Sequence, residues 1–186
     1  MACLPISLSG IAASCDASMG GIKRIWIAPW KPEVFTKAYH QEGSTATPYI
    51  ENITGITPEN AGEWKAFNFP KNTSSIANTV TIDNTNGVKF VQTALSLVFN
   101  RQETVKRIEV SALLLGEVMV VVEDSNGNFQ CLGVENPVAA TEAGGAIGAQ
   151  KTDGNNYTIT ITDDSTIYPP FLTKEAAEQF VEDVSA

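Results

Sequence analysis

The sequence predicts a mainly β protein of the α+β class, built on antiparallel sheet, with one helix between strands and a short helix at the C-terminus. Three observations predict it. Asn86-Gly87 and Asn126-Gly127 each sit between runs of strand-forming residues, and such a dipeptide supplies the positive φ angles of a type I′ hairpin turn. "NYTITITD" sets Tyr157, Ile159 and Ile161 on one face and Thr158, Thr160 and Thr162 on the other, the alternation of a half-exposed strand. Between strands the period changes, and Val105, Ile108, Ala112 and Leu115 fall on one helical face.

In chain order, residues 1–21 read as an N-terminal arm. Ala13-Ser14-Cys15 has the outline of a lipoprotein cleavage site, but no Lys or Arg precedes Lys23, and Pro5, Ser7, Ser9 and Gly10 interrupt the apolar run. A signal peptide needs a basic start and a longer apolar core. "IKRIWIAPW" from Ile22 and "EWKAFNFP" from Glu63 are strands closed by proline, and 31–62, rich in Pro, Thr, Asn and Gly, is a long loop or loose hairpin. "IANTVTID" and "VKFVQTALSLVF" flank the first Asn-Gly. In the second of them Val91, Leu95, Leu97 and Phe99 share a face, opposite the small polar face of Gln92, Ala94 and Ser96.

Asn100 and Glu103 have capping-box spacing, Glu103 and Arg107 form an i,i+4 pair, and Gly116 ends the helix. Val118 to Val122 are apolar on both faces, so this strand lies centrally or under another layer. "ATEAGGAIGAQKTDGNN" reads as flexible. Pro169-Pro170 breaks the sheet, and Thr173 caps a helix over 173–186 that aligns Ala176, Phe180 and Val184.

The chain has 186 residues, 43% hydrophobic and 18% charged, so it is globular and long enough for a single core. A net charge of −9 argues against tight nucleic-acid binding, which needs a basic footprint. Cys3, Cys15 and Cys131 are odd in number and form no C-x-x-C pair, so neither a disulfide framework nor a zinc site is indicated. A reducing cytoplasm is the simplest compartment of synthesis. No run approaches the roughly 20 apolar residues of a membrane span.

Catalytic chemistry is sparse. His40 is the only histidine and lies in the loop segment "KAYHQEGS". "GGAIGAQKT" fails as a phosphate loop because two residues separate Gly148 from Lys151. Asp153, Asn155 and Asn156, or Asp163 and Asp164, lack the EF-hand spacing. Lys23-Arg24 and Lys106-Arg107 suit salt bridges. Asn52-Ile53-Thr54 matches a glycosylation sequon without a secretion signal to give it meaning. No catalytic residue, cofactor or metal is expected. Trp26, Trp30 and Trp64 suit core packing for two of the three; an exposed one at a strand exit suits a subunit interface.

Three segments carry a resemblance: "CDASMGGIKRIWIAP"; "NGVKFVQTALSLVFNRQETVKRIEVSALLLGEVMVVVEDSNGNFQCLGVEN"; and "GAQKTDGNNYTITITDDSTIYPPFL". In these the sequence resembles the tail-tube and tail-ring proteins of tailed bacteriophages, particularly those of gut Bacteroidetes. The resemblance implies an antiparallel β-sandwich or barrel over 22–172 with a flanking helix. It also implies stacked homo-oligomeric rings, usually hexameric, that join their inner sheets around a DNA channel in the virion tail, beside other tail or neck proteins. Gln92, Ala94 and Ser96 would face the channel, and Trp26, Trp30, Asn126 and Gly127 would meet neighbouring subunits. A neck, connector or hub ring and a capsid decoration protein are the alternatives within that class. A carbohydrate-binding β-protein with tryptophan platforms is the alternative outside it.

Overall fold

The five apolar residues from Val118 to Val122 define the layer order. All are buried, and because successive strand residues point to opposite faces, both sides of their sheet must be covered. A computed structural model describes residues 11, 17–42, 45–57 and 63–185; Cys3, Cys15 and most of the N-terminal arm lie outside them. The elements are β1 (Ile22–Pro29), β2 (Phe35–Glu42), β3 (Thr45–Ile56), β4 (Lys65–Phe67), β5 (Ser75–Asp83), β6 (Val88–Asn100), α1 (Thr104–Leu115), β7 (Val118–Asp124), β8 (Phe129–Leu132), β9 (Ala139–Ile147), β10 (Asn155–Ser165), β11 (Phe171–Leu172) and α2 (Lys174–Ser185). The protein is mainly β, with antiparallel pairing except for β11 on β3.

A seven-stranded sheet has the order β2-β3-β11-β8-β7-β1-β4, and a four-stranded sheet the order β5-β6-β10-β9. Val118, Val120 and Val122 meet Leu95, Leu97, Phe99, Ile159 and Ile161 of the smaller sheet in one core. Met119 and Val121 face the other way, with Trp26, Cys131, Ala176, Ala177 and Phe180. The smaller sheet therefore covers one face of β7 and α2 the other. α1, the helix next to β7 in sequence, contributes only Val110 and Leu113 to the first core. The second core is aromatic: Trp26 lies 6.0 Å from Phe129, and Phe180 meets Trp26 at 5.4 Å and Trp64 at 5.3 Å, edge to face.

Several expectations need correction. Of the two readings of 31–62, long loop or loose hairpin, the hairpin holds and the loop does not: the segment carries the β2–β3 pair. Its register shifts at three places, and such bulges erase the period-two signal. "ATEAGGAI" is strand β9; it runs along a sheet edge with nearly every residue exposed, so no apolar alternation marks it. Asn100 ends β6, and Glu103 is the helix N-cap without a side-chain capping bond. Glu103 pairs with Arg101 at 2.9 Å and Lys106 at 3.8 Å and not with Arg107. The α1 stripe of Val105, Ile108, Ala112 and Leu115 points to solvent.

Neither Asn-Gly forms a type I′ turn, because Asn86 and Asn126 keep negative φ and only Gly87 and Gly127 have positive values. At the second, the Gly127 N–H donates to the Asp124 carbonyl and the Asp124 N–H to that of Asn128. This is a three-residue hairpin loop with its glycine in the left-handed position. Gly133, at φ 82°, is required for a second reason: a Cβ there would lie 3.0 Å from the Met119 Cα.

Candidate assembly interface

In β6 the buried residues are Val91, Thr93, Leu95, Leu97 and Phe99, so Gln92, Ala94 and Ser96 line the outward face as the sequence predicts. Register extends that face across the sheet. Ser96 stands between Ser75 and Thr160, Ala94 between Ala77 and Thr162, and Gln92 between Thr79 and Asp164. Thr160 is in turn opposite Glu142 of β9. Hydroxyls dominate. The Gln92 amide donates to Asp164 at 3.0 Å, and the hydroxyls of Thr141 and Thr162 share a bond of 2.8 Å. The outward positions of these strands carry Asp83, Glu142 and Asp164 and no Lys or Arg.

Both edges of this sheet lack a strand partner among the described residues: β5 is bordered only by β6, and β9 only by β10. A polar strand with free N–H and C=O groups on one side is a template for another chain. The flanks are apolar. Beside β9 stands α1, whose Val105, Ile108 and Leu115 are 69%, 56% and 92% exposed; Ile147 ends β9 at 73%. On the β5 side Val80 and Ile82 are 44% and 62% exposed. They pair with Val91 and Lys89 and so share the inward side of the sheet with Val91, past the end of the core.

The other interface candidates are largely committed within the chain. Trp26 is 4% exposed in the second core, with the Arg24 guanidinium 5.0 Å from its ring centre; it has no surface for a neighbour, which corrects that assignment. Trp64 is 3% exposed, so these two rings offer no platform for a sugar either. Trp30 is half-buried and donates its indole N–H to the Gly133 carbonyl at 3.0 Å. Asn126 and Gly127 are exposed at the hairpin tip. The Asn126 carboxamide accepts from the Met19 N–H at 2.8 Å and donates to its carbonyl at 3.0 Å. Ser125 bonds the Gly21 carbonyl through both its N–H and its hydroxyl. The turn thus fixes where the chain enters β1.

Ionisable groups in the interior are few. Glu123, a buried carboxylate, bonds Lys23 at 2.7 Å and also Arg24. Burial raises its pKa, but hydrogen bonds and charge from these two partners outweigh that and hold it below the ordinary value. Asp163, on the inward side of β10, has one bond, accepted from the Gly133 N–H at 3.3 Å. Burial first, with the charges of Asp164 and Glu135, pushes its pKa to about 6. Burial also raises the Cys131 thiol far above its usual value, which leaves no thiolate to act as a nucleophile. His40 is exposed on β2, 3.5 Å from Glu51. Among the described residues no group of His, Cys, Asp and Glu could hold a metal, and no helix is long and apolar enough to cross a membrane. A groove of about 650 Å³ between the β7–β8 hairpin and α2 mixes Arg24 and Lys174 with Glu123, Glu178 and Glu182.

No protein-family model matches this chain, and no curated protein matches it either.

Proposed function

We propose that this protein is a structural ring subunit of a bacteriophage tail, with its four-stranded sheet lining a channel through which DNA passes. One observation carries the reading: among the described residues that sheet is open at both edges and uncovered on its outward face. Its strand directions suit closure. The neighbours β5-β6-β10-β9 are all antiparallel, so β5 and β9 run in opposite directions. A copy placed head to tail beside the first by rotation about a ring axis then meets β9 with an antiparallel β5. Pairing of this kind can continue until the ring closes, leaving no edge exposed.

The outward face becomes the channel wall. Its hydroxyls stay solvated, and its carboxylates repel phosphate, so duplex DNA slides without the counterion release that makes proteins stick. The resemblance to tail-tube and tail-ring proteins points to the same use of the sheet. Negative-stain electron microscopy with sedimentation velocity tests the proposal: purified protein is expected to enter rings or stacked tubes. A chain that stays monomeric across salt, pH and concentration, and with tail partners present, overturns it. The symmetry of the particles distinguishes a tube ring from a neck or hub ring.

A further inference from the structure

The apolar stripe on α1 has no partner within the described chain, and neither has the pair Val80 and Ile82 on β5. Both lie toward the inward side of the same sheet, at its opposite edges, and a buried apolar surface is what each is missing. We propose that the C-terminal half of α1 in one copy docks on the projecting inward side of β5 in the next, with Leu115 seated against Val80 and Ile82. This rests on the ring reading and deepens it by naming a second, side-chain contact behind the strand junction.

Register sets the offset that the match requires. α1 starts at the end of β9, since the Gln102 amide donates to the Ala146 carbonyl at 3.3 Å. It ends near the start of β9, since Val118 bridges Val138. The last turn of α1, with Leu114 at 46% and Leu115 at 92% exposed, therefore stands at the level of Ala139, opposite Thr162. β5 crosses that level and runs on: Ser75 lies in the row of Thr160, Ala77 in that of Thr162, and Val80 three residues beyond, in that of Ser165. In a head-to-tail pair offset by about three to five residues along the strands, a stagger of the kind barrel closure requires, the neighbour's Val80 and Ile82 arrive beside the helix end, where this copy's β9 has already run out. The contact is heterologous, one patch on each flank, which is the type that generates rings or helical stacks. A dimer related by a two-fold axis would instead bring α1 to α1.

Disulfide trapping tests it in the full-length chain with Cys3 and Cys15 replaced by Ser. Ile82→Cys with Leu115→Cys, two exposed positions, is expected to give under mild oxidation a ladder of covalent oligomers on non-reducing gels. Each single variant is expected to give at most a dimer. As a second measure, Leu115→Asp should move the sedimentation boundary to the monomer with an unchanged circular dichroism spectrum, whereas Gln179→Asp on α2 should leave assembly as it was. Rings of the parent chain with no ladder from the double variant and no effect of Leu115→Asp overturn this contact and leave the ring reading standing. A parent chain that forms no rings overturns that reading and the contact with it. Oxidised dimers from Leu115→Cys alone, at the yield of the double variant's ladder, overturn the contact in favour of helix-to-helix pairing.

Discussion

Asp163 is 4% exposed, on a strand whose other inward residues are Tyr157, Ile159, Ile161 and Ser165. Its pKa rises from an ordinary 3.8 to about 6 in the folded protein. Between those values the unfolded chain has released a proton that the folded chain still holds, so stability falls as pH rises through this window and then levels off. The gap corresponds to roughly 3 kcal/mol. Asp163→Asn keeps an acceptor for the Gly133 N–H and removes the ionisation. Urea midpoints at pH 4.5, 5.5 and 7 are expected to show the variant gaining on the parent with rising pH; a constant difference would exclude the effect. Glu123 has the opposite sign, because Arg24 and Lys23 hold its pKa down: its contribution is present above the unfolded pKa and lost as pH falls through the folded one. Its partners are 59% and 43% exposed and can return to water, so the loss is below that of a fully buried pair. Glu123→Gln is expected to cost about 1–2 kcal/mol at pH 7 and little at pH 3, as read from the same urea titrations.

At the scale of elements, α2 acts as the third layer of the fold. Phe180 is 3% exposed and sits edge-on to both Trp26 and Trp64. Phe180→Ala is expected to cost about 3–5 kcal/mol through lost burial and the cavity left behind. Detachment of α2 should wet the two indoles, so tryptophan emission should shift to the red at lower urea than the loss of β-sheet circular dichroism. Coincident transitions would mean that α2 unfolds only with the sheets. The elements also show where the sequence was legible. β6, β7 and β10 were readable because burial on one or both faces imposes a pattern that only one local structure satisfies. β9 was not, because an edge strand with nearly every residue exposed has no such pattern, and "AATEAGG" looks like a loop. The α1 stripe of Val105, Ile108, Ala112 and Leu115 is legible as one helical face, but its period does not say whether that face is buried, and here it points to solvent. Periodicity records that a surface is apolar; it does not record which chain covers it. Gln92, Ala94 and Ser96 were legible for the complementary reason, since their inward neighbours had to be core.

For the whole molecule, the net charge of −9 acquires a location. The outward face of β5-β6-β10-β9 carries Glu142 and Asp164 near its hydroxyls and no cation, while Lys23 and Arg24 are drawn to Glu123 on the other sheet. A channel wall needs to avoid adhesion more than it needs any specific contact, and two substitutions test that. Glu142→Lys with Asp164→Lys reverses the sign of the face without touching either core, since both side chains are exposed. The parent is expected to leave a DNA duplex unretarded in a gel at low salt. The double variant should bind it without sequence preference, and its affinity should fall with salt at a log–log slope of roughly −2 for each copy engaged. The proposed rings should persist in both, because the strand pairing proposed at the β5 and β9 edges uses backbone groups. Equal retardation of DNA by parent and variant would mean that the outward face does not govern adhesion, and would count against the proposal that this face lines a DNA channel.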